Sequence, residues 1–121
     1  MKKNQEITPE EYKALARDQW SEADFVREIM RLALQLGWRR HHCRPGRTSG
    51  GGWRTPIQGD VGLPDILLVR RGRMLAFECK VGDNKMTAAQ KLWILDLSGV
   101  PGITAVCVWP SDWDYIEQLL S

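Results

Sequence analysis

Two acidic residues and a lysine lie at the ends of two short apolar runs that are close together in the sequence. In the stretch PDILLVRRGRMLAFECK, which covers residues 64–80, Asp65 precedes the first run, and Glu78 and Lys80 follow the second. The runs are separated by Arg-Arg-Gly-Arg, which predicts an antiparallel β-hairpin. A turn centred on residues 71 and 72 would place Asp65 directly opposite Glu78, and strand alternation would send Lys80 to the same face as Glu78.

The opposed carboxylates of this predicted hairpin need a positive charge between them. Two like charges with β-carbons about 5 Å apart repel each other and weaken a sheet. A divalent cation would relieve the repulsion, and Mg²⁺ typically binds few protein carboxylates and keeps several waters. Two carboxylates, a lysine and Mg²⁺ or Mn²⁺ suffice to hydrolyse a phosphodiester bond, because the metal neutralises the phosphoryl oxygens and the lysine positions or deprotonates the attacking water. Lys80 could instead form only a solvated ion cluster with both acids, and the spacing by itself leaves both interpretations open.

The elements around the hairpin indicate a single α/β domain that occupies residues 1–121. A Thr-Pro-Glu-Glu start predicts a helical extension within residues 1–20, and Ser21 opens a longer helix that ends at Gly37. A strand is predicted at residues 38–43, a helix capped by Thr87 follows the hairpin, and a strand at residues 103–109 precedes a last helix capped by Ser111. The order αα-β-ββ-α-β-α favours a mixed central β-sheet flanked by helices. The apolar runs ILLV and ITAVCVW predict strands that are buried on both faces.

Composition narrows the function classes. No apolar run approaches the roughly 18 residues that cross a bilayer, and the first residues lack the apolar stretch of a signal peptide, so a cytoplasmic protein without a membrane partner is expected. The three cysteines form no CxxC pair and are expected to be free thiols.

Charge is distributed unevenly along the chain. Residues 38–58 contain five arginines and no acidic residue, whereas residues 110–121 contain three acidic residues and no basic one. This asymmetry predicts that a polyanion contacts one face, with residues 44–63 as a long substrate-facing loop and Trp53 available to stack on a base. His42 is expected either to contact the substrate phosphate or to make a structural hydrogen bond. The predicted nucleic-acid-binding residues are Arg39, Arg40, His42, Arg44, Arg47, Trp53 and Arg54.

Several motifs in order resemble the VRR-NUC group of the PD-(D/E)XK nuclease superfamily. They are SEADF, LGW, GLPDILLVR, ECK, MTAAQKLWIL and VWPSDWDYI, and they run from about Ser21 to Leu120. The segment SGGGWRTPIQGDV departs from the resemblance, because many relatives look shorter there. The resemblance implies a restriction-endonuclease-like core.

The resemblance also implies roles for individual residues. Asp65 and Glu78 would bind the metal, helped by the backbone carbonyl of Cys79, and Lys80 would be the catalytic lysine. Gln90 matches a glutamine that this group keeps near its site, which implies a catalytic role for it. The further metal-binding acid that the first core helix supplies is best matched by Glu22. Glu28 flanks the apolar stripe on the other side of the same helix and stays open as an alternative.

The resulting expectation is a Mg²⁺- or Mn²⁺-dependent endonuclease that acts on duplex or branched DNA, such as a Holliday junction or a flap. The resemblance extends to phage enzymes that work in a bacterial host, and a small enzyme would need a homodimer to cut two strands symmetrically. No small-molecule substrate is expected. A nuclease-fold module that binds DNA without cutting it, and a metal-dependent ribonuclease, are the two alternatives.

Overall fold

A four-stranded mixed β-sheet with helices packed against it forms the centre of the fold. The computed structural model describes residues 6–43, 46, 47, 53, 54 and 58–121, with only the backbone for 46, 47, 53 and 54. The helices are α1 (Pro9–Asp18), α2 (Glu22–Gln35), α3 (Ala88–Ser98) and α4 (Trp113–Leu120). The strands are β1 (Arg39–His42), β2 (Gly46–Arg47), β3 (Trp53–Arg54), β4 (Ile66–Arg70), β5 (Arg73–Cys79) and β6 (Ile103–Val108). The mixed α/β class and the element order are confirmed, with a small β2–β3 ribbon added inside the long loop.

The sheet has the strand order β1-β4-β5-β6. β4 pairs antiparallel with β1 and β5, whereas β6 lies parallel to β5 and is reached through α3. In the β4–β5 hairpin Arg70 pairs with Arg73 and Ile66 pairs with Phe77, which confirms the predicted register. Asp65 and Glu78 therefore meet at the end of this hairpin.

The core lies between one face of the sheet and the helices α2 and α4. Ser21 caps α2 in a reciprocal pair of hydrogen bonds with Asp24, and Phe25 and Ile29 of this helix are completely buried. After the helix, Gly37 takes a positive φ of 82° that turns the chain into β1. The apolar stripe of α2 is thus the face of the helix that packs in the core.

The opposite face of the sheet is covered less completely. Five consecutive residues of β5, from Leu75 to Cys79, are buried, so β5 is covered on both faces. The burial on both faces that was predicted for β4 and β6 is incomplete. In β6 only Ala105 and Val108 are buried. In β4, Val69 is 46% exposed, because α3 covers only part of this face. Leu92 and Leu95 of α3 are themselves 61% and 68% exposed.

Polar side chains satisfy the carbonyl groups where α2 and α4 end. The Trp38 indole N–H donates to the Leu120 carbonyl at 2.9 Å, and the Arg70 guanidinium stacks on the same indole ring at 4.4 Å. Arg70 also donates to the carbonyls of Leu36 and Ser121, each at 2.8 Å. Cations and donors stabilise the negative ends of helices, so this cluster ties both helices to the hairpin.

The start of α4 differs from its prediction. Ser111 does not cap it; a 3-10 turn at Pro110–Asp112 precedes the helix, and the Asp112 carboxylate accepts a hydrogen bond from the Trp109 N–H at 2.8 Å. None of the helices in the described part of the chain combines the length and apolarity needed to cross a bilayer.

Candidate active site

Asp65 is held in place from two neighbouring strands. It follows the fully buried Pro64, and its carbonyl accepts a hydrogen bond from the Cys43 N–H at 3.0 Å. Its carboxylate Oδ2 accepts from the Cys79 N–H at 2.9 Å. The carboxyl group is thereby fixed against the end of β5, next to Glu78.

Glu78 is a carboxyl group inside the protein. The residue is 1% exposed, and its Oε1 has no hydrogen-bond partner in the described part of the chain. The Lys80 Nζ lies 3.5 Å from its other oxygen, Oε2, and the Lys80 side chain is itself only 12% exposed. Buried charges and buried acceptors without partners are costly, so an orphaned oxygen here indicates that a cation or a donor belongs beside it.

The surroundings of Glu78 favour its protonated form when no metal is present. Burial raises the pKa of this carboxyl to about 8, and a hydrogen bond shared with Asp65 and the negative charge of Asp65 act in the same direction. The ammonium group of Lys80 opposes the change but does not cancel it. Two carboxyl groups therefore compete for one small region that a divalent cation would stabilise.

Glu22 lies close enough to this pair to interact with it. It lines a concavity of about 470 Å³ between α2 and the end of β1, together with His42 and Asp65. Partial burial raises the pKa of Glu22, the charge of Asp65 adds to the increase, and Lys80 lowers it. Glu28 instead forms an ion pair with Arg31 further along α2. Of the two helix acids considered from the sequence, Glu22 is the one that interacts with the Asp65 side of the site.

Gln90 performs a structural task at the start of α3. Its side-chain oxygen accepts from the Thr87 N–H at 2.9 Å, and its own N–H donates to the Thr87 hydroxyl at 3.2 Å. Gly62 packs against this turn so closely that a β-carbon on it would lie 2.7 Å from the Ala89 carbonyl carbon. Gln90 thus borders the loop that leads to Asp65, but its described hydrogen bonds are with Thr87. Its catalytic role stays a prediction.

The cysteines near the site are thiols rather than thiolates. Burial raises the pKa of the Cys107 thiol to about 11, and the nearby Glu78 charge contributes. Burial also raises the pKa of Cys79, whose side chain packs in the core with Val108. Sulfur ligation at neutral pH is therefore disfavoured, which leaves the backbone carbonyl of Cys79 as the oxygen that this residue can offer.

The predicted nucleic-acid-binding residues separate into two groups. Arg39 and Arg40 are exposed on β1, where the Arg40 guanidinium donates to the Met30 carbonyl at 3.1 Å, and His42 lines the concavity beside Asp65. Arg44 lies outside the described residues, as do the side chains of Arg47, Trp53 and Arg54. Arg27 also lines the concavity but was not among the predicted residues. Its local signal in the sequence is the i,i+3 spacing from Asp24, with which it forms an ion pair.

The candidate cation site offers few protein ligands. In residues 6–43 and 58–121, no group of three or more His, Cys, Asp and Glu side chains converges as a complete metal site. Asp65, Glu78 and the Cys79 carbonyl supply oxygen ligands only, which suits Mg²⁺ or Mn²⁺ with water in the remaining positions. The orphaned Glu78 Oε1 fits this assignment.

Comparison of the chain with protein-family models, with curated proteins and with solved structures found no match.

Proposed function

We propose that this protein is a divalent-metal-dependent endonuclease that hydrolyses phosphodiester bonds of DNA, with a restriction-endonuclease-like core. The observation that carries the proposal is the buried Glu78 carboxyl, which has one orphaned oxygen and lies beside both Asp65 and Lys80. A purely structural ion cluster would be expected at the surface, where it gains little. A cluster inside the protein needs a function that offsets its cost of desolvation.

Each residue of the site has a task that its position supports. Asp65 and Glu78 would hold the cation with the Cys79 carbonyl, and the bound cation would neutralise phosphoryl charge and acidify water. The Lys80 Nζ, 3.5 Å from Glu78 Oε2, would orient the attacking water and stabilise charge on the phosphate as an ammonium group, or would take up the proton of the water as a neutral amine. Glu22 and His42 border the adjoining concavity, where a phosphate and its water could be positioned.

Cleavage of a substrate panel tests the proposal. The purified protein would be incubated with linear duplex, single-stranded, flap and four-way junction DNA, and with RNA, in Mg²⁺, Mn²⁺ or EDTA. The expected result is metal-dependent cleavage that Asp65→Ala abolishes. Asp65→Asn is the matched control, because it removes the charge of the carboxylate but keeps an acceptor for the Cys79 N–H. Lack of cleavage in every metal, or equal cleavage by Asp65→Ala, would overturn it.

Two alternatives have clear signatures in the same panel. A non-cleaving binding module would bind DNA in EDTA and leave it intact in either metal. A ribonuclease would cut only the RNA. The presence of Asp65, Glu78 and Lys80 in one cluster favours cleavage over binding alone. The narrower proposal of branched DNA as substrate, in a cytoplasmic phage protein, is supported by the sequence resemblance.

A homodimer would supply two such sites for symmetric cleavage of two strands. The apolar residues Ile116 and Leu120 of α4 are buried in the core, whereas Leu92 and Leu95 of α3 are largely exposed, so α3 is the better candidate for the interface. Sedimentation of the protein and of Leu95→Glu tests this. A monomer at all concentrations would contradict the dimer.

A further inference from the structure

A second concavity, of about 690 Å³, lies at the opposite end of β1 and β4 from Asp65. It is called the arginine concavity here, after the four arginines among its lining residues. The lining residues used in the argument are Arg39, Arg40, Arg70, Arg71, Leu34 and Val69. No acidic residue is among the described residues that line it.

Three of these four arginines can offer donors to a ligand. Arg39 and Arg71 are exposed, and Arg40 commits one nitrogen to the Met30 carbonyl. Arg70 is occupied at the helix ends, where it donates to the Leu36 and Ser121 carbonyls. The negative end of α2 points toward this region and would repel an anion, but the Arg70 guanidinium offsets that charge. The surface that remains is basic.

Arg71 occupies a backbone position that suits a different residue. Its φ is +49° and that of Gly72 is +76°, as in a type I′ hairpin turn. Asn, Asp and Gly are the residues that such a position favours, whereas an arginine there carries conformational strain. Strained residues concentrate at functional sites, so an arginine at the tip of this hairpin indicates that its charge has a use.

Each of the two concavities is lined by residues of α2 or its C-terminal end and by residues of β1. Met30 lines the one at Asp65, Arg40 lines the other, and the hydrogen bond between these two residues joins them. From Asp65 to Arg70 the chain follows β4 for five residues, which corresponds to roughly 17 Å. B-DNA rises about 3.4 Å per base pair along its axis, so this separation corresponds to about five base pairs of duplex.

We propose that the arginine concavity binds the phosphate backbone of duplex DNA, as the outer half of a track that begins at Asp65. The proposal rests on the proposed function for the identity of the polyanion, but binding there needs neither metal nor cleavage. Arg39 and Arg71 make the phosphate contacts, and Arg40 contributes from the wall of the track. The duplex must then extend at least about five base pairs past the cut phosphate on this side.

Charge removal at the hairpin tip gives a sharp test, because Asn suits the turn better than Arg. Arg71→Asn, Arg39→Gln and the double variant would be compared with the wild type, with Arg71→Lys as the variant that keeps the charge. Lys13→Gln, on the exposed helix α1, is the control for loss of a basic residue elsewhere. Binding of a fluorescent duplex of about 20 base pairs would be measured in EDTA over a range of salt concentrations.

Each phosphate contact adds about 0.9 to the magnitude of the slope of log K against log salt concentration for binding to B-DNA. We expect each single variant to bind the duplex about five- to tenfold more weakly at about 0.1 M salt, with a salt slope reduced by about one. Arg71→Lys and Lys13→Gln should bind almost as the wild type does. Arg71→Asn should keep or raise the melting temperature, which excludes misfolding as the cause of weaker binding.

Results in the other direction would overturn the proposal. The first is a double variant that binds the DNA duplex with the affinity of the wild type. The second is a loss of affinity no larger than that of Lys13→Gln. The third is an affinity that depends on the arginines only for an RNA duplex of the same sequence. The outcome is separate from that of the proposed function. Binding that depends on the arginines, without cleavage, would refute the nuclease but support this site. Cleavage and binding that are unchanged by substitution of Arg39 and Arg71 would support the nuclease but refute this site.

Discussion

The buried Glu78 carboxyl makes the stability of the fold depend on pH. Its pKa of about 8 in the folded protein lies well above the usual 4.5, because burial and Asp65 favour the protonated form. The folded state therefore binds this proton more tightly than the unfolded state does. The associated stability is fully present below about pH 4.5 and is lost as the pH rises through about 8.

The size of the effect follows from the same shift. Each pH unit inside this window costs about 1.36 kcal/mol, so stability should fall by about 2–3 kcal/mol between about pH 5 and pH 7. For a domain of this size that corresponds to a melting temperature lower by about 8–12 °C. Glu78→Gln keeps the shape of the side chain but has no proton to lose, so its melting temperature should lack this dependence.

Thermal unfolding of both proteins in EDTA over this pH range measures the difference. Mg²⁺ or Mn²⁺ is then added at about pH 7. A cation that binds only the folded state at about a hundred times its dissociation constant stabilises it by about 2.7 kcal/mol, and the wild type should regain that amount while Glu78→Gln gains much less. This readout detects the metal site without relying on catalysis.

If the melting temperatures of the wild type and Glu78→Gln change with pH in the same way, the reasoning about the buried carboxyl is refuted. An equal response of both proteins to Mg²⁺ and Mn²⁺ would refute Glu78 as a metal ligand. The two failures are separate, because the first concerns desolvation and the second concerns coordination.

Three further predictions concern single residues. Lys80→Ala should reduce turnover by about 10²–10⁴-fold and leave DNA affinity in EDTA almost unchanged, with Lys85→Ala as the exposed control; a matching loss of binding would mean that Lys80 only holds the phosphate. Gly62→Ala should lower the free energy of unfolding by more than about 2 kcal/mol, because its β-carbon would overlap the Ala89 carbonyl, whereas Gly59→Ala, also at positive φ but with open space around it, should cost less. Trp38→Phe should lower the urea midpoint by the equivalent of about 1–3 kcal/mol, because the buried Leu120 carbonyl loses its donor, and an unchanged midpoint would contradict this.

Local patterns in the sequence predicted much of the fold. The Ser21 cap, the stop at Gly37 and the turn at residues 71 and 72 act within a few residues of themselves, so the helix α2 and the hairpin register are legible from short windows. The opposition of Asp65 and Glu78 follows from that register alone.

Features that depend on distant parts of the chain were not predicted. The complete burial of Glu78 depends on β6, which pairs along β5 from another region of the chain. The role of Arg70 at two helix ends needs contacts with Leu36 and Ser121, which no local pattern contains. The capping role of Gln90 was also not predicted, although it depends only on local sequence. Thr-x-x-Gln before an apolar run is a signature of a capping box.

The position of β1 at the edge of the sheet has a consequence for the solution behaviour of the protein. Its outer side has no partner strand in the described sheet, and its sequence is Arg-Arg-His-His. Charged residues on an edge strand prevent two sheets from joining edge to edge and aggregating. The arginines that would contact DNA thus also keep copies of the protein apart, and free protein should be most prone to precipitate when these charges are neutralised together.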